Sequence, residues 1–360
     1  MRRGSPSTNR NAAFTLIEVL VSVSVLALMM TIIAEMMRRT QDTVSKASSH
    51  ASEFQEGRRA LDAITHALSQ ATMDAVWGYR RSATDASVIT GYERVSDHHF
   101  VLAPAAELLP PDTTAEAGQA VFFQAPLGKV NDETKRRLHH LINGCGFYIR
   151  YGSDLDTRPA FLQSGQPVQL NPDRNRFRLM QYLQPAEDSI LYSSGLGLNR
   201  LTNRSQALQW FQNDLDATSQ PLADNILALI LIPYAANVQS GSGNTTIVPD
   251  AHYQYDSRDF QWSGLNDDNQ SRRHQLPPMV GVSLIIADEH SYEGLAIRMG
   301  ESAAAAAIRA VLTGKFSDHH KLQDDLAAVE SGLAALPLHH KILSANVALR
   351  GSKWISENEQ

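Results

Sequence analysis

The chain lacks the residues that would cross-link it. Its 360 residues contain one cysteine, Cys145, which excludes an intrachain disulfide and argues against a cysteine-based zinc site. Cys145 lies in the turn-like stretch Asn143-Gly144-Cys145-Gly146, just before the apolar residues 147–149. No histidine or acidic residue stands at a motif-like spacing from it. We therefore predict that Cys145 is a small packing residue and not a nucleophile.

Recognisable catalytic and metal-binding motifs are also missing. The sequence has no Walker loop, no Gly-x-Ser-x-Gly elbow, no His-Glu-x-x-His helix and no dinucleotide fingerprint. Stretch 266–269, Asn-Asp-Asp-Asn, offers oxygen ligands for calcium. It lacks the spacing and the closing glutamate of an EF-hand loop, so we expect a solvated loop. We predict no catalytic residues, no resident metal and no cofactor.

Histidine is paired in an unusual way, but the pairing does not by itself create a metal site. Neighbouring residues point about 100° apart on a helix and to opposite faces on a strand. Neither geometry lets one pair clamp one ion, although a site built from several pairs stays open. The four pairs are His98-His99, His139-His140, His319-His320 and His339-His340.

The chain also lacks a large excess of either positive or negative charge. The formal net charge is −6, whereas a nucleic-acid surface would be strongly basic. The balance also argues against a polybasic lipid-binding surface. We expect no nucleic-acid partner, although a local basic patch is not excluded.

The chain does contain one membrane-length apolar run. Residues 14–34 read FTLIEVLVSVSVLALMMTIIA, and Glu18 is the only ionisable residue among these 21. A bilayer core needs about 20 apolar residues at helical rise, so the run predicts a transmembrane helix. A carboxylate inside it costs about 2.5–3.5 kcal/mol on insertion scales, and such residues usually have a function and a partner.

Basic residues flank this run unevenly. Arg2, Arg3 and Arg10 precede it with no acidic residue among residues 1–13, while Arg38 and Arg39 follow it. The positive-inside rule favours a cytoplasmic amino terminus. Everything after about Arg38 would then lie across the membrane, in a periplasm-like space.

The small pair Ala12-Ala13 stands before the apolar run, whereas an ordinary secretory signal has its apolar core before the cleavage point. This order, with Glu18, resembles the amino terminus of type IV prepilins and type II secretion pseudopilins. The resemblance implies that prepilin peptidase cuts between Ala13 and Phe14 and that Phe14 is then N-methylated. Glu18, fifth in the mature chain, would meet the amino terminus of a neighbouring subunit. The family usually has glycine before the cut, where this chain has Ala13.

The resemblance implies an α+β, pilin-like fold. A long amino-terminal transmembrane helix would continue into a helix packed on an antiparallel β-sheet head. We predict a leader over 1–13, the transmembrane helix over 14–34 and a helical extension over 35–77, with Gly57 as its weak point. A β-rich head follows over 78–300, with strands at 121–123, 146–151, 226–233 and 280–286. Residues 301–360 would add helices at 302–316 and 322–336 and a last strand at 342–350.

Three stretches of the head are similar to J-type minor pseudopilins of type II secretion. They are Leu222-Ala223-Asp224-Asn225, the Tyr253–Ser257 stretch followed by Trp262, and Leu276-Pro277-Pro278-Met279-Val280. The length and the carboxy-terminal region also resemble the Verru_Chthon cassette protein C family.

These resemblances imply a structural subunit that has no enzymatic activity. Its partners would be prepilin peptidase, other pilin-like or pseudopilin subunits and inner-membrane lipid. Retention of Glu18 argues against a tip position. Two alternatives stay open on the same anchor. The head could be an uncleaved, signal-anchored ligand-binding or adhesive protein, or an enzyme whose site the sequence does not reveal.

Overall fold

The computed structural model describes residues 15–352 except 83, 86, 112, 114–115, 136–137, 139, 154, 156–157, 159–172, 190, 192–202, 239–244 and 263–271. For residues 42, 45–54, 236–238 and 245 it describes the backbone alone. The chain divides into two compact units, Met1–Ser52 and Glu53–Gln360.

The first unit contains most of helix α1, which runs without a break from Leu16 to Ser69. Within it, Leu16–Gln41 is long and apolar enough to cross a membrane, and its side chains are not buried by the protein. Three hydroxyls in this stretch, those of Ser22, Ser24 and Thr31, donate to the carbonyl three residues earlier at 2.7–2.9 Å. Because these bonds satisfy the hydroxyls inside the helix, the segment is compatible with an apolar medium.

The second unit is built from antiparallel sheets. A six-stranded sheet has the order β10-β3-β4-β5-β6-β7, a four-stranded sheet has the order β12-β11-β8-β9, and β1 and β2 form a two-stranded sheet. The strands are β1 Val76–Arg81, β2 Ile89–Val95, β3 Val101–Pro104, β4 Gln119–Ala125, β5 Asn143–Gly152, β6 Arg176–Leu183, β7 Ser219–Asp224, β8 Ile226–Val238, β9 Thr245–Pro249, β10 Tyr255–Asp256, β11 Met279–Ala287 and β12 His340–Ala348.

Helices pack on these sheets and lie between and after the strands along the chain. After α1 they are α2 Ala105–Leu108, α3 Arg204–Gln212, α4 Leu215–Thr218, α5 Glu289–Met299, α6 Glu301–Leu312 and α7 Leu322–Ala335. The structure therefore confirms the predicted α+β arrangement of a long amino-terminal helix, antiparallel sheets and further carboxy-terminal helices.

The last turns of α1 form part of the main core. Residues at helical spacing, among them Ile64 and Leu68, are fully buried with strands of both large sheets and with α5–α7. Gly57 was predicted to be a weak point, but the helix passes through it. A Cβ atom there would lie 2.1 Å from Ile286 Cδ1, so glycine permits close approach of α1 to β11. The helix ends at Ser69, earlier than the predicted residue 77, and the Thr72 amide bonds to the Gln124 carbonyl at 2.9 Å.

The two large sheets are joined by residues at the start of β4. Gly118 forms a parallel bridge with Leu229 of β8. The buried Gln119 side chain accepts a hydrogen bond from the Leu231 amide at 2.9 Å and donates one to the Phe316 carbonyl at 3.0 Å. One buried side chain therefore ties β4 to β8 and to the segment after α6.

A second, smaller core lies on the six-stranded sheet under α3. Phe122 of β4 stacks on Phe211 of α3 with ring centroids 3.8 Å apart. Cys145 of β5 belongs instead to the main core, where it is a free, fully buried thiol, and burial raises its pKa to about 12. A thiol with that pKa is inert at neutral pH. This confirms the prediction that Cys145 is a packing residue.

Most predicted elements are found with shifted bounds. The strands predicted at 121–123, 146–151, 226–233 and 280–286 are β4, β5, β8 and β11, each longer than predicted. The helices predicted at 302–316 and 322–336 are α6 and α7, and the last strand is β12. The stretch Leu222–Asn225 is the end of β7 followed by Asn225, which alone connects β7 to β8 and has φ 58°.

Buried polar side chains connect the segment before β3 with the segment after β10. Arg258 is fully buried, and its Nη2 donates to the carbonyls of Ser96 at 2.7 Å and His98 at 3.3 Å. Burial lowers the pKa of Arg258 to about 10. His99 Nε2 lies 2.8 Å from Asp256 Oδ1. Since a buried cation left without partners costs several kcal/mol, these contacts fix the two segments together.

This buried layer predicts that the head loses stability in mild acid. Burial first, then Arg258, Arg273, His99 and Arg94, lowers the pKa of His274 from 6.5 to about 2. Below pH 6.5 His274 is protonated in the unfolded chain but stays neutral in the folded chain. The free energy of unfolding therefore falls as the pH falls. His274 alone should account for about 2 kcal/mol between pH 7 and pH 5. Burial lowers the pKa of His98 too, which adds to the loss.

The measurement is urea unfolding of the full chain in mild detergent at both pH values, for the native chain and for His274→Asn. Asparagine suits this position because it tolerates the positive φ of 47°. The free energy of unfolding of the variant should differ between the two pH values by about 2 kcal/mol less than that of the native chain. An unchanged difference would show that His274 is not the group responsible.

Candidate processing and assembly site at the amino terminus

One of the three predicted site residues, Glu18, lies in the described part of the chain. Ala13 and Phe14, on either side of the predicted cleavage point, lie outside the described residues. Glu18 is described and lies in the first turn of α1. It is the only ionisable residue between Leu16 and Ala34, and the next one is Glu35.

Glu18 takes part in a reciprocal cap at the start of the helix. Its Oε2 accepts from the Thr15 amide at 3.1 Å and from Thr15 Oγ1 at 3.0 Å. In return the Glu18 amide donates to Thr15 Oγ1 at 3.4 Å. This is a capping box, in which the two residues satisfy amides that the helix leaves without partners. The Thr-x-x-Glu spacing is visible in the sequence, although Thr15 was not among the predicted site residues.

The capping box holds the carboxylate beside the predicted mature amino terminus. Thr15, whose amide donates to Glu18, follows Phe14 directly in the chain. A negative charge in the first helical turn also interacts favourably with the helix dipole. The carboxylate is therefore held at the start of the helix by its contacts with Thr15.

At the other end of the apolar segment, the charges are paired within the helix. Glu35 contacts Arg38 at 3.0 Å and Arg39 at 2.9 Å. Side chains between these ends are exposed, with Leu16 at 83% and Met30 at 62%. An uncovered apolar surface of this length requires lipid or other helices around it.

The head contains one further candidate. A cavity of about 260 Å³ is lined by Asp74, Val76, Val95, Ser96, Asp97, His98, Ile142 and Leu191. No group of three histidine, cysteine, aspartate or glutamate side chains that could hold a metal ion occurs in the part of the chain that is described. His99 and His98 have different partners, Asp256 for the first and the segment 72–74 for the second. Residues 266–269 and His139 lie outside the described residues.

Comparison with known families agrees with the geometry of the amino terminus. Residues 8–34 match the prokaryotic N-terminal methylation motif. None of the curated proteins compared with the chain matches it. The matched residues include Arg10, the predicted cleavage pair Ala13-Phe14 and Glu18. The amino terminus is thus like that of type IV prepilins, and the motif implies processing by prepilin peptidase and membrane anchoring through α1 before assembly.

Proposed function

We propose that this chain is a structural, minor pseudopilin-like subunit of a type II secretion or type IV pilus-like complex. Prepilin peptidase cleaves it between Ala13 and Phe14 and methylates the Phe14 amine. The mature chain stays in the inner membrane through α1, with its head on the periplasmic side, until α1 packs among other pilin-like helices.

The observation that carries this proposal is Glu18 itself. It is a lone carboxylate, oriented by Thr15, at the start of an apolar helix whose side chains are uncovered. A charge in a low-dielectric medium is stabilised by an opposite charge nearby. The methylated amine of an adjacent subunit, one residue before Thr15, supplies such a charge at the same depth. Glu18 therefore sets the register of one subunit against the next.

The narrower assignment is to J-type minor pseudopilins, with the Verru_Chthon cassette protein C family as the particular relative. It is supported by sequence resemblance in the segments 222–225, 253–262 and 276–280. In the structure these segments lie at the end of β7, around β10 and at the entry to β11. They are therefore framework positions of the two large sheets, which is where a shared fold would leave its sequence pattern.

A ligand-binding role on the same anchor is the second candidate, and the cavity beside β1 and β2 is the observation that favours it. Its lining combines two acidic residues, Asp74 and Asp97, with aliphatic ones such as Val76 and Val95. That lining suits a cationic ligand with an apolar body. Under this alternative the amino terminus would be an uncleaved signal anchor.

The test is the amino-terminal mass of the protein extracted from native membranes. We expect a chain that begins at N-methylated Phe14. Ala13→Gly should be processed at least as completely, because glycine is the usual residue before the cut. A bulky replacement, Ala13→Leu, should leave the leader attached. A native chain that still begins at Met1 or Arg2 would contradict the proposal and favour the uncleaved anchor.

A further inference from the structure

The cavity beside β1 and β2 has the size and the lining of a site for a small ligand. Its volume of about 260 Å³ is below the roughly 300–1,000 Å³ of pockets that hold drug-sized ligands, so its occupant is a small molecule or a single side chain. Apolar walls with a few polar groups are typical of ligand sites. The walls here are Val76, Val95, Ile142 and Leu191, and the polar groups belong to Asp74, Ser96, Asp97 and His98.

His98 is the buried side chain through which this cavity can recognise a ligand. It is only 4% exposed, and the backbone holds one of its ring nitrogens. Nδ1 lies 3.1 Å from the Thr72 carbonyl oxygen and 3.2 Å from the Asp74 amide nitrogen. Among the residues that the structure describes, none bonds to the other ring nitrogen, Nε2. When Nδ1 donates to Thr72, Nε2 carries a lone pair and can accept a hydrogen bond from a ligand.

The charge around His98 favours a cation. Burial lowers the pKa of His98 below its usual value, against the opposing effect of Asp74 and Asp97 nearby. The imidazole is therefore neutral at pH 7 and does not repel a positive charge. Arg258 offsets Asp97, and its guanidinium donates to the carbonyls of Ser96 and His98. Asp74 then leaves a net negative charge at the cavity.

Asp74 has an acceptor group available for this cation. Within the described ranges its carboxylate makes no hydrogen bond and no ion pair. Its own amide bonds to the His98 ring, so the same short connection brings a carboxylate and an imidazole to one cavity. An alkylammonium carries three N–H donors, and hydrogen bonds between charged groups are the strong ones. One ammonium can therefore donate to both side chains.

A metal ion fits this lining less well than an ammonium. No three histidine, cysteine, aspartate or glutamate side chains among the described residues are placed to hold one. Metal ligands have to converge to about 2.0–2.6 Å from the ion. An ammonium reaches its acceptors at about 2.7–2.9 Å and in three directions. Its alkyl chain also has a use for the aliphatic walls, which a bare ion does not.

From this arrangement we propose that the cavity binds a primary alkylammonium group. The ammonium donates to the Asp74 carboxylate and to His98 Nε2, and the alkyl chain contacts Val76 and Val95. A free amine and a lysine side chain of a partner chain present the same chemistry. The proposal rests on the cavity that favours the second candidate function, but it requires no uncleaved anchor, because a cleaved structural subunit contains the same site.

The test is a ligand-observed NMR titration of the full chain in mild detergent, with n-butylammonium as the probe. n-Butanol is the matched control, since it has the same number of heavy atoms and no charge. We expect n-butylammonium to bind at least about ten times more tightly than n-butanol, because charge-assisted hydrogen bonds are lost with the alcohol. Tetramethylammonium keeps the charge but has no N–H donor, and it should bind more weakly than n-butylammonium. Equal affinities for n-butylammonium and n-butanol, or no binding of n-butylammonium, would overturn the proposal.

Two variants test the part played by Asp74. Asp74→Asn removes the charge with little change of shape, and because Asp74 is exposed the variant should fold normally. Its affinity for n-butylammonium should fall at least about fivefold, as expected for a hydrogen bond between charged groups. Glu330→Gln, on the exposed side of α7, makes the same change in net charge outside the cavity lining, and it should bind like the native chain. An affinity that Asp74→Asn leaves unchanged, or that both variants lower equally, would contradict the proposal.

Further probes distinguish the two sources of the ammonium. The Nα-acetyl methylamide of lysine is compared with that of norleucine, which lacks the ammonium. Binding of the lysine compound as tightly as n-butylammonium would support capture of a lysine side chain from a partner chain. Binding of n-butylammonium alone would support a free amine, and both results are consistent with ammonium recognition. Failure of all these probes would leave the assembly role intact, because that role is tested by the amino-terminal mass.

Discussion

Replacing Glu18 with leucine should leave membrane insertion intact or improve it, while the variant should fail to co-purify with pilin-like partners. Insertion improves because the carboxylate costs about 2.5–3.5 kcal/mol inside a bilayer. Assembly fails because the variant offers no charge to the amine of the neighbouring subunit. A pairing energy of only about 1.4 kcal/mol corresponds to a tenfold change in association, so we expect at least about a tenfold loss. The measurement is quantitative co-purification from native membranes.

The capping box makes it possible to separate charge from local structure. Glu18→Gln keeps an acceptor that can bond to Thr15, since glutamine serves in capping boxes as well as glutamate, but it removes the charge. It should assemble as poorly as Glu18→Leu. Thr15→Val removes the hydroxyl that bonds to Glu18 and keeps the charge, so it should assemble nearly normally.

The reverse pattern would give Glu18 a different role. If Glu18→Gln assembles like the native chain and Thr15→Val does not, the carboxylate acts by starting the helix and not by pairing with a neighbour. If all three variants assemble normally, Glu18 has no part in assembly.

The largest loss of stability should come from Gly118→Ala. Gly118 has φ 106°, which L-residues rarely adopt, and a Cβ there would lie 2.2 Å from the Leu229 carbonyl oxygen. Positive φ costs a non-glycine residue about 1–3 kcal/mol. The clash with backbone must also push β4 from β8, where the two large sheets are joined. We expect the free energy of unfolding of the head, measured by urea unfolding of the full chain, to fall by more than about 3 kcal/mol, because the cost of overpacking adds to the cost of backbone strain.

Two other glycines serve as matched controls. Gly314 has φ 74° but nothing within 4 Å of a Cβ, so Gly314→Ala measures the strain alone. Gly91 has neither positive φ nor a close neighbour, and Gly91→Ala should be nearly neutral. If Gly118→Ala costs no more than Gly314→Ala, the joint between the sheets is looser than the structure indicates.

The strands with continuous apolar runs could be predicted from the sequence because burial on both faces leaves a local pattern. The run at 226–233 is the core of β8, and the run at 280–286 is the core of β11. The predicted bounds of β8 were too short because the far end of this strand carries mixed residues. β8 continues to Val238 through Tyr234 and Asn237. Strand pairing, and not local pattern, extends it there.

Glycine shows the limit of local pattern most clearly. Gly57 suggested a break because glycine weakens helices, yet contact with Ile286 explains its presence. Likewise, the histidine pair His98-His99 gave no indication of its partners. Asp256, which bonds to His99, is 157 residues away in sequence. Such contacts arise only when distant strands are brought together.

The sequence by itself determined how this chain meets the membrane. The 21-residue apolar run with its single carboxylate, the preceding small pair and the basic flank are all local features. Bilayer thickness and the cost of burying a charge act on them directly. Only the tertiary structure decided how the head is joined through Gly118 and Gln119, why Gly57 is a close contact, and which side chains line the cavity beside β1 and β2. The reason is physical. Membrane insertion depends on the hydrophobicity and charge of one continuous segment, whereas a packed core depends on contacts between residues far apart in the chain.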